Sequence, residues 1–137
     1  MNTFQLKIIA SNRTFFDGEA QQLVVPLVDG GSQGFLAKHE NCVVPIDSGE
    51  MKITDAGGKE ISAYVGNGFL EFLDNTAILV CISAELPEEI DARRAQEAKE
   101  RAEEDMRLKR SQREYYHSQA NLARAMDRLK IKNRHNI

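Results

Sequence analysis

No apolar run in this 137-residue chain approaches the roughly 20 residues that span a bilayer. Its first residues, Met1-Asn2-Thr3-Phe4-Gln5-Leu6-Lys7, lack the charged-then-apolar layout of a signal peptide. The chain is therefore expected to be soluble and to meet a membrane only through a partner. Cysteine is scarce: Cys42 and Cys81 sit in apolar context and form no CxxC pair, which points to two buried thiols in a reducing compartment. His39, His117 and His135 are dispersed, so no metal-ligand spacing exists. No phosphate-cradling GxxxxGK[ST] loop occurs, and Gly66-Asn67-Gly68 is too short to replace one. Serine, cysteine and histidine form no nucleophile motif. The pairs Glu88/Glu89 and Glu103/Glu104 read as solvated helix ends rather than acid–base pairs. Nothing here supports an enzyme. Basic and aromatic residues do not interleave, so nucleic acid is not an expected partner. Finally, beyond Pro87 neither glycine nor proline occurs up to Ile137.

That last absence divides the chain. Before Pro87 the sequence alternates as sheet proteins do. Strands are expected at Phe4–Ile9, at Arg13–Phe16 closed by Asp17-Gly18, and at Gln22–Leu27, where Pro26 marks an edge or a strand end. Asp29–Gly34 is a turn cluster, followed by Gly34-Phe35-Leu36 and then Cys42–Ile46. Asp55-Ala56-Gly57-Gly58 joins Glu50–Thr54 to Glu60–Val65 as a hairpin. Phe69–Leu73 and Thr76–Ile82 flank an Asp74-Asn75 turn, and the second of these strands is the most apolar and is expected to be central. Short strands with turn signals at this spacing predict a β-sandwich or barrel.

After Pro87 the period changes to a helical one. Pro87 and the acidic residues behind it mark a helix start. Ala92, Ala95, Ala98 or Lys99, Ala102 and Met106 form one stripe of mostly small residues. Tyr115, Gln119, Leu122, Met126 and Leu129 form a second, with Tyr116, Ala120 and Ala123 beside it. The charged stretch Glu103–Arg113 can serve as a loop, giving an antiparallel hairpin. It can also stay helical, giving one helix about 75 Å long. The tail thus has two accessible states, which is the signature of a switch.

Charge is uneven. Residues 1–87 hold 11 acidic against 5 basic residues, net -6; residues 88–137 hold 10 against 13, net +3. Either the tail meets something acidic or its helices are simply well solvated. On a helix Asp91, Arg94 and Arg101 share a face, as do Arg124 and Arg128. A hairpin could converge four guanidiniums on one anion, with phosphate oxygens their natural ligand. Asp91 and Glu85 could then accept from an adenine amino group or ribose hydroxyls. The plainer reading is intrahelical ion pairing, worth about 0.3 kcal/mol a pair.

Over essentially its full length the chain resembles the epsilon subunit family of bacterial F-type ATP synthase. Gly31-Ser32-Gln33-Gly34-Phe35-Leu36-Ala37-Lys38-His39 looks like the family's Gly-Glu-x-Gly-Ile-x-Pro-Gly-His loop. Val65–Phe72 and Asp74–Leu79 look like its Gly-Gly-Phe-x-Glu-Val and Asn-x-Val-x-Ile-Leu strands. Ile90-Asp91-Ala92-Arg93-Arg94-Ala95 matches its Ile/Leu-Asp-x-x-Arg-Ala motif, and Leu122–Leu129 its second helix. This chain departs from the pattern at Ser32, Ala37-Lys38, Asn41 and Asn67. The resemblance implies an α+β protein: an N-terminal antiparallel β-sandwich, residues 1–86, that binds the rotor, then a C-terminal two-helix hairpin, residues 87–137, that regulates. It implies a non-catalytic place on the central stalk at the cytoplasmic face of the plasma membrane, against the gamma subunit and the c-subunit ring, with Ser32 and His39 at the rotor interface. It implies contact with the alpha and beta subunits when the tail extends and inhibits ATP hydrolysis. No cofactor is required. ATP is implied as a regulatory ligand of the folded hairpin, on Glu85, Ile90, Asp91, Arg94, Ala95, Arg101, Arg124 and Arg128. The alternative is a stand-alone ATP-binding sensor or adaptor.

Overall fold

A computed structural model describes residues 2–108 and 112–135. The chain divides into two compact units, Met1–Leu86 and Pro87–Ile137.

The first unit holds nine strands: β1 Phe4–Ala10, β2 Arg13–Leu27, β3 Gly31–Leu36, β4 Cys42–Ile46, β5 Gly49–Asp55, β6 Glu60–Val65, β7 Gly68–Leu73, β8 Thr76–Cys81 and β9 Ala84–Glu85. They pair in the order β1-β8-β7-β4-β2-β5-β6-β9, with β3 on β2 and β1 also on β2. Every pairing is antiparallel except β1 with β8. The apolar strand Thr76–Cys81 lies between β1 and β7, an interior place as its composition predicts.

Two expectations about turns do not hold. Asp17-Gly18 does not end a strand. It pairs with Lys7 and Leu6 inside a continuous 15-residue β2. That strand meets β1 through its first half and β3 and β5 through its second, with a register shift between Ala20 and Gln22. Ladder hydrogen bonds along β1 outweigh a local turn preference. Likewise Gly31–Gly34 is strand rather than turn, because each residue of the segment faces a partner between Val24 and Leu27. Elsewhere the turn chemistry is as read. Gly58 takes φ 86° in the β5–β6 hairpin, where the Asp55 carboxylate accepts from the amides of Gly57 and Lys59 at 3.0 and 2.9 Å. Asp74 and Asn75 both take positive φ, the tight two-residue turn between β7 and β8.

The core is aromatic and aliphatic. Phe4, Leu6 and Ile8 of β1 meet Leu23, Phe35, Met51, Ile53, Leu70, Phe72 and Leu79, all essentially inaccessible. Phe72 lies with its ring 5.5 Å from Phe4 and 6.1 Å from Phe35. The fully buried Tyr64 accepts a hydrogen bond at its hydroxyl from Ser48 Oγ at 3.2 Å. Both cysteines are free thiols. Cys81 is buried and Cys42 only half-buried, a correction to the expectation that both are buried. Burial pushes the Cys81 thiol up to about 11, and burial followed by the nearby Glu40 charge raises Cys42.

The second unit holds a 3-10 turn, Pro87–Glu89, then α1 Ala92–Leu108 and α2 Gln112–His135. The α-helix thus begins five residues after Pro87, not at the acidic pair, which lies in the 3-10 turn. Of the charged stretch Glu103–Arg113, Glu103–Leu108 is helical and Gln112 and Arg113 begin α2; Lys109, Arg110 and Ser111 lie outside the described residues. The two helices pack on one another as a hairpin. Ala95 and Ala102 are buried on α1, and Ala92, Ala98, Lys99 and Met106 are half-buried beside them, matching the expected stripe. Among the described side chains of α2 the buried ones are Ser118, Ala125 and Ile131. Leu122 and Leu129 are half-buried, whereas Gln119, Ala120, Ala123, Met126 and Tyr116 are exposed. The side chain of Tyr115 lies outside the described residues. The stripe read from large apolar side chains is rotated from the true one, because a close seam takes small residues and turns Met126 outward.

One glycine has a steric demand the sequence does not display. A Cβ at Gly68 would sit 2.0 Å from the Val80 carbonyl oxygen, whereas one at Gly31 would meet nothing within 4 Å. Gly68→Ala is expected to cost about 3 kcal/mol in urea unfolding, with Gly31→Ala unchanged; equal effects would show that the β7–β8 approach is slack. In thiol labelling at neutral pH, Cys42 is expected to react first and Cys81 only on unfolding. Because the folded Cys81 pKa is raised from 9.0 to about 11, its contribution to stability is complete below the first value and lost as pH rises through the second. Melts recorded across that window check the sign, and a Cys81→Ser variant removes the effect.

Candidate functional site

The tail residues singled out in the sequence sit around the start of α1 and the second half of α2. Asp91 stands immediately before α1. Its carboxylate accepts from the Arg94 amide at 3.1 Å, and its carbonyl accepts from the Ala95 amide at 3.0 Å. This is an N-cap: the side chain takes one of the four amides that the first turn leaves unpaired. Ile90 is buried just ahead of it and donates its amide to the Pro87 carbonyl at 3.2 Å. Ala95 is buried on the next turn. Ile90 and Ala95 therefore serve packing, and Asp91 serves helix initiation.

Arg94 and Arg101 lie seven residues apart on α1, both exposed. Arg124 and Arg128 lie four apart on α2, both half-buried, and Arg124 reaches Asn121 on its own helix. Helical periodicity puts each pair on one face, as the sequence spacing demands. Two contributors were not read from sequence. Asn121 positions Arg124, and Lys132 donates to the Pro87 carbonyl at 3.1 Å, tying the end of α2 to the turn ahead of α1. Nothing in a single sequence marks a lysine 45 residues away as the partner of a carbonyl. Arg93 pairs with Glu97 at 3.2 Å, both exposed, the kind of intrahelical pair weighed as the plainer reading. Glu85 belongs to the first unit, on β9, where it pairs with Tyr64 of β6. Among the described residues no cluster of three metal-ligating side chains occurs.

The sandwich offers two further places. Ser32 is exposed near the start of β3, paired with Pro26. His39 follows the end of that strand and is half-buried, its ring 4.7 Å from Phe35 and 5.4 Å from Phe72. Its Nδ1 donates to the Glu40 carbonyl at 2.8 Å, and Cys42 Sγ lies 3.9 Å away. Strand β3 separates the two residues, roughly 13 Å of extended chain from Ser32 to Leu36. Between them Lys38 holds φ 66°, with its amide donating to Asn75 Oδ1 at 2.7 Å.

The second place was not foreseen. On the outer face of β4, β7 and β8, Pro45, Phe69 and Val80 stand directly opposite one another, with Ile9 of β1 next in the row. Phe69 is 64% exposed, Val80 52%, and Val43 one step along β4 is 67% exposed. Sequence alternation put these residues on the outer face, but only the pairing shows them adjacent. Contiguous exposed apolar side chains of this kind are where partners commonly dock.

Residues 3–87 match the family described as ATP synthase, Delta/Epsilon chain, beta-sandwich domain, and residues 88–133 match its long alpha-helix domain. The chain belongs to the ATP synthase delta/epsilon family. It is 43% identical over 134 residues to the ATP synthase epsilon chain of Ruminiclostridium cellulolyticum, covering 98% of each chain. It is 40% identical over 131 residues to that of Caldanaerobacter subterraneus, covering 94% of this chain and 93% of the relative. The fold recurs in a chain of the Euglena gracilis mitochondrial ATP synthase at TM-score 0.79 and 19% identity, covering 93% of this chain and 79% of that one. It recurs again in the central stalk and c-ring structure of the Tetrahymena thermophila enzyme at TM-score 0.70 and 14% identity, covering 93% and 95%. Membership of this family supports a non-catalytic role in coupling and regulation. No helix among the described residues is long and apolar enough to cross a membrane.

The cap gives a test independent of any ligand. Asp91→Ala is expected to lower tail stability by about 1 kcal/mol, while Asp91→Asn and Asp91→Ser retain most of it. Helical circular dichroism of the full chain on heating reads the difference, and identical melts would remove Asp91 from helix initiation.

Proposed function

We infer that this chain is the epsilon-type rotor subunit of a bacterial F-type ATP synthase, coupling proton flow to ATP synthesis without catalysing a step itself. The sandwich seats against the gamma subunit and the polar loops of the c-subunit ring, and the complex sits on the cytoplasmic face of the membrane. The single observation that carries the seat is the apolar row Pro45-Phe69-Val80 with Val43 beside it, exposed in the free chain. Burial of such a row against a partner supplies the non-directional attraction of a lasting interface. The edge carrying Ser32 and His39 is assigned to the c-ring loops. Ser32 is exposed near the start of β3, and beyond its end Lys38 holds a left-handed backbone beside His39.

The tail is the regulatory element. In one state it is the hairpin of α1 and α2. In the other it extends along gamma toward the alpha and beta subunits and inhibits ATP hydrolysis. The seam, mostly alanine and serine with Ile131 toward the end of α2, supports this reading, because small buried side chains leave less apolar area to expose on opening than leucines would. ATP acts as a regulatory ligand of the folded state on Glu85, Ile90, Asp91, Arg94, Ala95, Arg101, Arg124 and Arg128, with no other cofactor. It shifts the equilibrium by binding one state better than the other. In this site the arginines meet phosphate oxygens. Because Asp91 already holds the Arg94 amide, it orients the residue that faces the ligand.

Two experiments decide these readings. Phe69→Glu is expected to abolish co-purification with the gamma subunit while the chain stays folded; retained co-purification would place the seat elsewhere and favour a stand-alone sensor. Calorimetric titration of the full chain with ATP is expected to show saturable binding that is lost in Arg94→Ala. Heat that does not saturate at millimolar ATP would reduce the arginines to ion pairing.

A further inference from the structure

The connection between the two units begins from a very short strand. β9 contains only Ala84 and Glu85, set against Val65 and Tyr64 of β6. A ladder of two residues is too short to hold by itself. The surrounding backbone reinforces it from two sides. The Gly66 amide donates to the Ser83 carbonyl at 2.8 Å, and the Ile82 amide donates to the Asn67 carbonyl at 2.9 Å. From the other side comes the turn between β1 and β2. Ser11 donates through its hydroxyl to the Ile82 carbonyl at 2.6 Å, and Arg13 Nη2 donates to the Ala84 carbonyl at 2.8 Å. The Arg13 guanidinium also lies 5.3 Å from the centre of the Phe15 ring, within cation–π range. These contacts span 71 residues of sequence, so they tie the beginning of the chain to the last strand of the first unit.

We propose that Arg13 is a latch that fixes where the tail's tether begins: with Arg13 on the Ala84 carbonyl the tether starts at Leu86, and when Arg13 lets go, β9 peels from β6 and the tether starts near Ser83. Peeling frees Ala84 and Glu85, adding about 7 Å of reach. The bond to the Ala84 carbonyl is charge-assisted, and its donor cannot deprotonate. The latch therefore responds to what competes for the guanidinium, an acidic group on a partner for example. It also holds in place the backbone that carries Glu85. The consequence for inhibition rests on the tail reading above; the latch itself does not.

Hydrogen exchange on the full chain tests it. In Arg13→Ala the amides of residues 83–86 are expected to exchange about tenfold faster, with Arg13→Lys between the two and the amides of β7 and β8 unchanged. Exchange at 83–86 equal to the parent's would overturn the latch. So would a rise spread equally over the whole sandwich. In the assembled complex, the longer tether is expected to let Arg13→Ala lower ATP hydrolysis severalfold, and to do nothing in a chain ending at Leu86. If shortening the chain to Leu86 raises hydrolysis but Arg13→Ala does not lower it, the latch has no part in regulation and the proposal fails. If that shortening changes nothing, the tail reading falls, and the exchange result alone decides the latch.

Discussion

The close approach of β7 to β8 at Gly68 is the constraint on which the sandwich depends. With Gly68 set against the Val80 carbonyl, the register of the pair is fixed, and alternation does the rest. Leu70 and Phe72 point inward, where the Phe72 ring meets Phe4, Phe35 and His39. Phe69 and Leu73 point outward, where they stay exposed. A slip of one residue would bury Phe69 and Glu71 and expose Phe72, exchanging core and surface. One six-residue strand thus carries both the centre of the core and a large outward apolar side chain.

The second unit is built on the opposite plan. Its buried positions are mostly small, its helices are charge-dense, and its start is set by one carboxylate, Asp91, rather than by a hydrophobic anchor alone. Large cores resist rearrangement because every displaced methylene leaves a gap. Apart from Ile90 and Ile131, the buried side chains described there are Ala95, Ala102, Ser118 and Ala125, which carry little such area, so the seam suits an element that must leave one arrangement for another. A rigid sandwich and a lightly held hairpin are what a subunit needs if it must stay seated on a rotor while its tail changes partners.

Much of this was legible in the sequence, for identifiable reasons. The hairpin at Asp55–Gly58 and the turn at Asp74-Asn75 were readable because the side chains that make them act within four residues. Local chemistry failed where distant pairing overrode it: Asp17-Gly18 and Gly31–Gly34 look like turns until β1 and β2 are placed beside them. The α2 seam was misread because apolar size was taken as a proxy for burial, while Ser118 and Ala125 fill the contact. For the candidate site, spacing fixed the helical faces of Arg94, Arg101, Arg124 and Arg128. It did not reveal that Asp91 is an N-cap, that Asn121 holds Arg124, or that Lys132 bonds back to Pro87. Those need the fold. The apolar row on the outer face was hidden for the same reason, since Pro45, Phe69 and Val80 are adjacent only across strands.

The central claim is that one unit seats the chain and the other regulates. It is tested most directly by assembling the synthase with a chain that ends at Leu86 and measuring ATP hydrolysis against the complex carrying the full chain. The account predicts that the shortened chain still co-purifies with the gamma subunit and that hydrolysis rises severalfold. Loss of the chain from the complex, or hydrolysis equal to that of the full assembly, would contradict it.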